Sequence, residues 1–470
     1  MKLYYQITGE PTEGLIIIPF FESDKEIAYN GIPLSAKLFS GKKDTSYLLE
    51  KDKAFVLFVG VGKDPDYKTI KTAFRRVAAK QDAFFSNQAN IVFSDNFSDE
   101  RIEAAISGLV LGSYVLGHYK NDKKIHPISK HDFSLTVFSE RVVQTIVEKG
   151  IRIAAAQLET FHLVDLPRNR ITPEYLSDWA KKAGKKFGFT VDVLGLKESQ
   201  DAGLHAFLSV SQGSENKPQF IIMDYNPPGA KGHIGLVGKA VTFDTGGLNI
   251  KVAGMIHMKC DMAGGAAVLG AMQLIADLSL PCRITAVVPA CENVIDGKSF
   301  VPSDVIQSYS GKSIEVTDND AEGRLILADG LAYLIKNYKP QTVIDVATLT
   351  GSAVSTFGYE CGALFTNNEQ LSKKIQKAGF DIGERLWPLP LWDAYKTDIE
   401  SELADVKNYS GKLVAGAISA AKFLEYFIEN HPSWAHLDMA GVSFVDDEFA
   451  KTKHATAFGV HLLTNFIENI

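Results

Sequence analysis

Ser313-Ile314-Glu315-Val316-Thr317-Asp318-Asn319-Asp320-Ala321-Glu322-Gly323-Arg324-Leu325 passes from a strand-like run through an acidic turn into a helix-like run. The helical signal is the recurrence of Leu325, Ala328, Leu331, Ala332 and Ile335 on one face. Three carboxylates and an arginine crowd the turn between the two. Carboxylates that close repel one another unless something positive lies between them, so a bound metal ion is the simplest explanation. Two ordinary readings compete with it. Asn319 and Glu322 have capping-box spacing, but Gly323 weakens a first helical turn and Arg324 opposes its dipole, so a cap alone would not select them. Asp318, Asp320, Glu322 and Gly323 also match the opening of a calcium loop. That match fails at Asp329, where a bidentate glutamate belongs, and upstream, where a strand replaces the entering helix.

A second cluster lies in Leu236-Val237-Gly238-Lys239-Ala240-Val241-Thr242-Phe243-Asp244-Thr245-Gly246-Gly247, an apolar strand ending in an acid and a double-glycine turn. Lys239 is its anomaly, because an ammonium inside an apolar strand must lose its proton or find an anion. A metal ion bound by the neutral amine resolves this. Lys251 follows, and then Met258-Lys259-Cys260-Asp261-Met262, where Asp261 precedes a helix rich in small residues that imply close backbone packing. Singly, Asp261 reads as a cap and Lys251 as a solvated side chain.

Four acids, two lysines and an arginine without histidine suit a two-metal hydrolytic site. Bridging carboxylates hold two ions roughly 3.5–4 Å apart, which polarise a carbonyl and acidify a water. A further lysine can steady an oxyanion, and an arginine can hold a planar anion. The chain has no His-Glu-x-x-His, Gly-x-Ser-x-Gly or complete phosphate loop. A metallophosphatase and a catalytically silent peptide-binding oligomer remain as alternatives. The first normally recruits histidines, and the second is normally marked by loss of a ligand.

The segments Val237–Gly247, Met258–Met262 and Asp320–Leu325 resemble, in order, the signatures of the leucine (cytosol) aminopeptidase family of the two-metal type. Asp345-Val346-Ala347-Thr348-Leu349-Thr350-Gly351, Trp387-Pro388-Leu389-Pro390, Ala404-Asp405-Val406-Lys407-Asn408 and Trp434-Ala435-His436-Leu437-Asp438 extend the likeness over the chain beyond Leu166. The resemblance implies one metal held by Lys239, Asp244, Asp261 and Glu322, and a more exchangeable one held by Asp244, Asp320 and Glu322, each zinc or manganese. It implies that Lys251 steadies the tetrahedral intermediate, and that Arg324 holds a bicarbonate acting as general base. Met258, Asp318, Thr348 and Gly351 would line the substrate pocket. It further implies peptide substrates with a free amino terminus and a homohexamer. The chain departs from the family at Asp318-Asn319, where Asn-Thr is usual, at His454 and Ala457, where glycines are usual, and in a loop one residue shorter between Lys251 and Asp261. These departures bear on selectivity more than on chemistry.

Composition agrees with a large enzyme. The 470 residues are 46% hydrophobic and 22% charged, enough for substantial cores without disordered bias. A net charge of -7 argues against nucleic acid or an anionic membrane as the main partner. The start lacks a signal-peptide core, no stretch is long enough to span a bilayer, and four cysteines without paired spacing suit the cytoplasm. The expected fold is α/β: a small N-terminal α/β domain over 1–139, a helical linker over 140–169, and a catalytic domain over 170–470. The last should hold a central mixed, mostly parallel sheet flanked by helices, with ligands at the carboxyl ends of its strands. Gly60-Val61-Gly62-Lys63 reads as a turn, not a phosphate cradle.

Overall fold

A computed structural model describes residues 1–470 apart from 8, 10, 25, 26 and 30. The chain divides into two compact units. The first, Met1–Leu158 with the short segments Asp381–Gly383 and Glu448–Ala450, is built on a six-stranded sheet. Its order is Lys2–Gln6, Ser134–Phe138, Gln88–Val92, Glu13–Phe21, Lys53–Gly62, Ser46–Lys51, parallel except for the last strand. The run Leu15–Ile18 is buried from end to end, as a strand covered on both faces must be. The helices Tyr67–Lys80 and Asp99–Leu111 pack together, each begun by a side-chain cap from Asp66 or Ser98. The turn expected over 60–63 is not there at Gly60 and Gly62: both lie in the last residues of a strand, held in it because their amides bond to the carbonyls of Thr45 and Gly41.

The second unit, Glu159–Phe380 with Glu384–Asp447 and Lys451–Ile470, holds a nine-stranded mixed sheet. Four strands at its centre run parallel: Trp434–Asp438, Thr342–Ala347, His233–Gly238 and Arg283–Asn293. Antiparallel partners, Gly362–Thr366 and Gln219–Tyr225, flank them. The short strand Ala240–Asp244 pairs with the end of Arg283–Asn293. Where the sequence reads as one apolar strand running through Lys239 to Asp244, the structure has two, His233–Gly238 and Ala240–Asp244, parted at Lys239. There the backbone breaks step, the amide bonding Val346 and the carbonyl accepting from Gly265.

Helices cover both faces of this sheet. A Cβ on Gly238 would strike Gly265 and Val268 of the helix Ala263–Asp277, whereas a Cβ on Gly330, in the helix Gly323–Tyr338, would strike Val237. Gly238 and Val237 point to opposite faces because side chains alternate along a strand. A Cβ on Gly264 would overlap the Val346 carbonyl, so the small residues permit the close packing expected behind the site. The helix Gly323–Tyr338 is buried on nearly every side over its first ten residues, wrapped by sheet and helices alike.

Candidate metal centre

The carboxyl ends of the parallel strands deliver the chemistry. Lys239 follows Gly238, Asp244 ends its short strand, and Thr348 follows Ala347. The acidic turn is brought to the same place by the strand Ser313–Glu315, paired with Val305–Gln307 and Val406–Lys407. Ligands gather at this edge in open α/β sheets because the strands stop there and the loops diverge.

Lys239 is buried, and its Nζ lies 2.8 Å from both Asp261 oxygens, 2.9 Å from Glu322 Oε1 and 3.1 Å from the Thr348 carbonyl. Lys251 stands nearer the opening, 2.8 Å from Asp244 Oδ2 and in contact with Asp320. One oxygen each from Asp244, Asp320 and Glu322 lies within 4.8 Å of the others. Burial pulls the Lys239 ammonium down, but Asp261, Glu322 and Asp244 outweigh it and hold the group above the ordinary lysine value. Lys251 is raised through the same contest. Burial and the neighbouring Glu322 and Asp244 push the Asp320 carboxyl up to about 7.

Asp261 Oδ2 and Glu322 Oε1 are buried with only the Lys239 ammonium, at 2.8 and 2.9 Å, as partner, and the buried Glu322 Oε2 takes no hydrogen bond. Native interiors seldom leave such atoms unsatisfied. A ligand set of carboxylate oxygens and one amine nitrogen, with few hydrogen-bond donors to satisfy the oxygens, fits divalent cations. The capping-box reading fails on the same atoms. The helix Gly323–Tyr338 has no side-chain cap, and Asn319 donates instead to the Phe300 carbonyl, 2.8 Å away. Gly323 now has a reason as well, since a Cβ there would stand 2.5 Å from Lys239 Cε.

Arg324 is buried beneath the turn. Its Nη1 donates to the Asn408 carbonyl at 2.8 Å, while its Nε has no partner. Burial lowers the guanidinium to about 10 against the pull of Glu322 and Asp318. Of the expected pocket residues, Gly351 is exposed with open space where a Cβ would be, and Met258 and Asp318 are half-buried. The Thr348 hydroxyl donates to Asp261 Oδ1, at 2.9 Å. His454 is buried and paired with Asp447, and Ala457 has φ 54°, a left-handed conformation that glycine adopts without strain.

Sequence reasoning gave no site role to the asparagines Asn249, Asn293 and Asn408, which bond the acidic turn, or to Asp438. Asp438 accepts from Leu349 N, Thr350 N and Thr350 Oγ1 and so holds the loop after Thr348. The only local sign of Asn293 is its place as the last residue of a buried strand.

Fold and site together define a metal-dependent hydrolase of mixed α/β architecture. The chain belongs to the cytosol aminopeptidase family and is an aminopeptidase: residues 160–464 match that family's catalytic domain and 33–123 its N-terminal domain. It is 36% identical to a probable cytosol aminopeptidase of Chloroherpeton thalassium, over 97% of this chain and 96% of that protein. It is 41% identical to one of Chlorobium phaeobacteroides, over 88% and 85%. Among solved structures it is similar to the bottromycin maturation enzyme BotP in complex with Mn, with TM-score 0.88 and 27% identity over 97% of this chain and 99% of that one. No helix among the described residues is long and apolar enough to cross a membrane.

Proposed function

We propose that the centre binds two divalent ions, zinc or manganese, and removes the amino-terminal residue from peptides whose terminus is free. The observation that carries this is the convergence of Asp244, Asp261, Asp320 and Glu322 on two lysines, with buried carboxylate oxygens that outnumber the donors facing them. Lys239, Asp244, Asp261 and Glu322 would hold one ion, and Asp244, Asp320 and Glu322 the other. Bound there, such ions supply Lewis acidity to a peptide carbonyl and lower the pKa of a water. Lys251 sits at the open side of the cluster with 18% of its side chain exposed, placed to steady negative charge that develops on the carbonyl oxygen. Arg324, with an unpartnered Nε, is suited to hold a planar anion such as bicarbonate as the proton acceptor. Met258, Asp318, Thr348 and Gly351 would border the side-chain pocket. A cytoplasmic homohexamer completes the reading, supported by the family likeness and by fully exposed Val252 and Leu413.

The test is an assay of the purified protein, supplied with manganese or zinc and bicarbonate, on free and N-acetylated aminoacyl amides. Chelator-sensitive cleavage of the free amides alone is expected. Equal cleavage of acetylated amides, or full activity after chelation, would sink the reading.

A further inference from the structure

Two buried carboxamides pin the acidic turn without adding charge to it. Asn293 is 1% exposed, and its Nδ2 donates to Asp244 Oδ1 at 2.8 Å and to the Asn319 carbonyl at 3.0 Å. Its own carbonyl accepts from Thr245 N at 2.9 Å and from Thr245 Oγ1 at 3.0 Å. One residue thus ties the strand end that carries Asp244 to the turn that carries Asp320 and Glu322. Asn408 grips the other side of that turn, accepting from Thr317 N at 2.8 Å and donating to the Asp318 carbonyl at 2.6 Å.

The residue type at 293 follows from the charges around it. An acid there would add another carboxylate to a crowded cluster, and a cation would compete with any bound ion. An apolar side chain would strip a donor from Asp244 Oδ1 and from the Asn319 carbonyl, leaving buried acceptors short of partners. Asp244 Oδ1 also accepts from Gly246 N at 2.8 Å, so that oxygen is held by two donors while Oδ2 faces Lys251.

We infer that Asn293 is a positioning residue of the metal centre: it holds Asp244 by Oδ1, leaves Oδ2 to face the ions, and sets the spacing between Asp244 and the Asp320–Glu322 turn. This rests on the two-metal reading above. The test is a manganese titration of metal-free protein, followed by calorimetry, with electron paramagnetic resonance of the loaded form. Asn293→Asp keeps the shape but replaces the donor with an acceptor. It should bind manganese roughly 10–100-fold more weakly, with an altered spectrum and an unchanged circular dichroism of the metal-free protein. Asn293→Ser, neutral and shorter, should also weaken binding, and it decides the matter if the aspartate variant does not fold. Asn367→Asp, at a backbone-capping asparagine of the strand Trp434–Asp438, should bind like the parent. Binding within about twofold of the parent by both position-293 variants, with the same spectrum, overturns the inference alone. A parent that binds no manganese defeats the two-metal reading and takes the inference with it.

Discussion

Two lysines in the catalytic unit are almost completely buried, and their surroundings differ in kind. Lys422, 2% exposed on the helix Gly416–Glu425, bonds the Leu391 carbonyl, Asp393 and Glu425 on the wall of a cavity of about 700 Å³. Both of its acids reach water, the Asp393 side chain being 77% exposed. Lys239, 3% exposed, meets Asp261 and Glu322, which are as buried as itself, while Asp244 and Asp320 stand close by with only Lys251 to offset them. A buried lysine whose acids are solvated is a local ion pair on a helix. One whose acids are buried and outnumber the cations marks a site short of positive charge, which divalent ions can supply.

The largest expected effect is at Asp244, the ligand proposed to be shared by both ions. Asp244→Ala should remove both activity and bound metal, measured by metal analysis after dialysis, whereas Lys251→Ala should keep both ions and lose roughly 100- to 1,000-fold in kcat. Retention of full rate and two ions by both variants would break the comparison at its centre. Next comes the pair of lysines. Lys239→Met should destabilise the metal-free protein by about 3–5 kcal/mol at neutral pH, because it strands buried carboxylates. Lys422→Met should cost much less, since its acids are solvated. Urea unfolding of the two variants ranks them, and equal losses would erase the distinction.

A smaller effect is tied to pH. Binding a cation requires Asp320 ionised and Lys239 neutral, and both groups sit above their ordinary values in the metal-free cluster. Protons must therefore leave as metal arrives. Affinity should rise with pH, with the Asp320 contribution levelling off above about 7. Calorimetry in buffers of different ionisation enthalpy measures the proton release, and affinity that falls as pH rises contradicts it. The smallest effect is at the turn's first residue: Asp318→Asn should reorder substrate preference across a panel of aminoacyl amides while metal loading stays the same. An unchanged order removes position 318 from selectivity.

Much of the fold was legible from local pattern. Alternation over 190–194 predicts a strand, which forms as Thr190–Leu194, and helical spacing over 264–278 and 321–336 predicts helices that form as Ala263–Asp277 and Gly323–Tyr338. Helical spacing over 98–116 predicts a longer helix than the one that forms, which ends at Leu111 with Gly112 as its cap, packed against the Arg75 carbonyl and Ala78, where no larger residue fits. Half-exposed strands such as Lys2–Gln6 and Ser46–Lys51 gave no apolar run to read. They are strands because Ser134–Phe138 and Lys53–Gly62 supply their hydrogen bonds.

The candidate reagents of the site, four acids, two lysines and an arginine, were legible in the sequence alone, since unusual charge in apolar surroundings is visible residue by residue. So was the alternation that makes the fold α/β. Their convergence was decided only by tertiary structure. Parallel strands distant in sequence end at one edge, and the bonds that hold the acids there span 49 residues from Asn293 to Asp244 and 90 from Asn408 to Asp318. A hydrogen bond of that reach leaves no periodicity or spacing in the chain, because its partners become neighbours only once the sheet has formed.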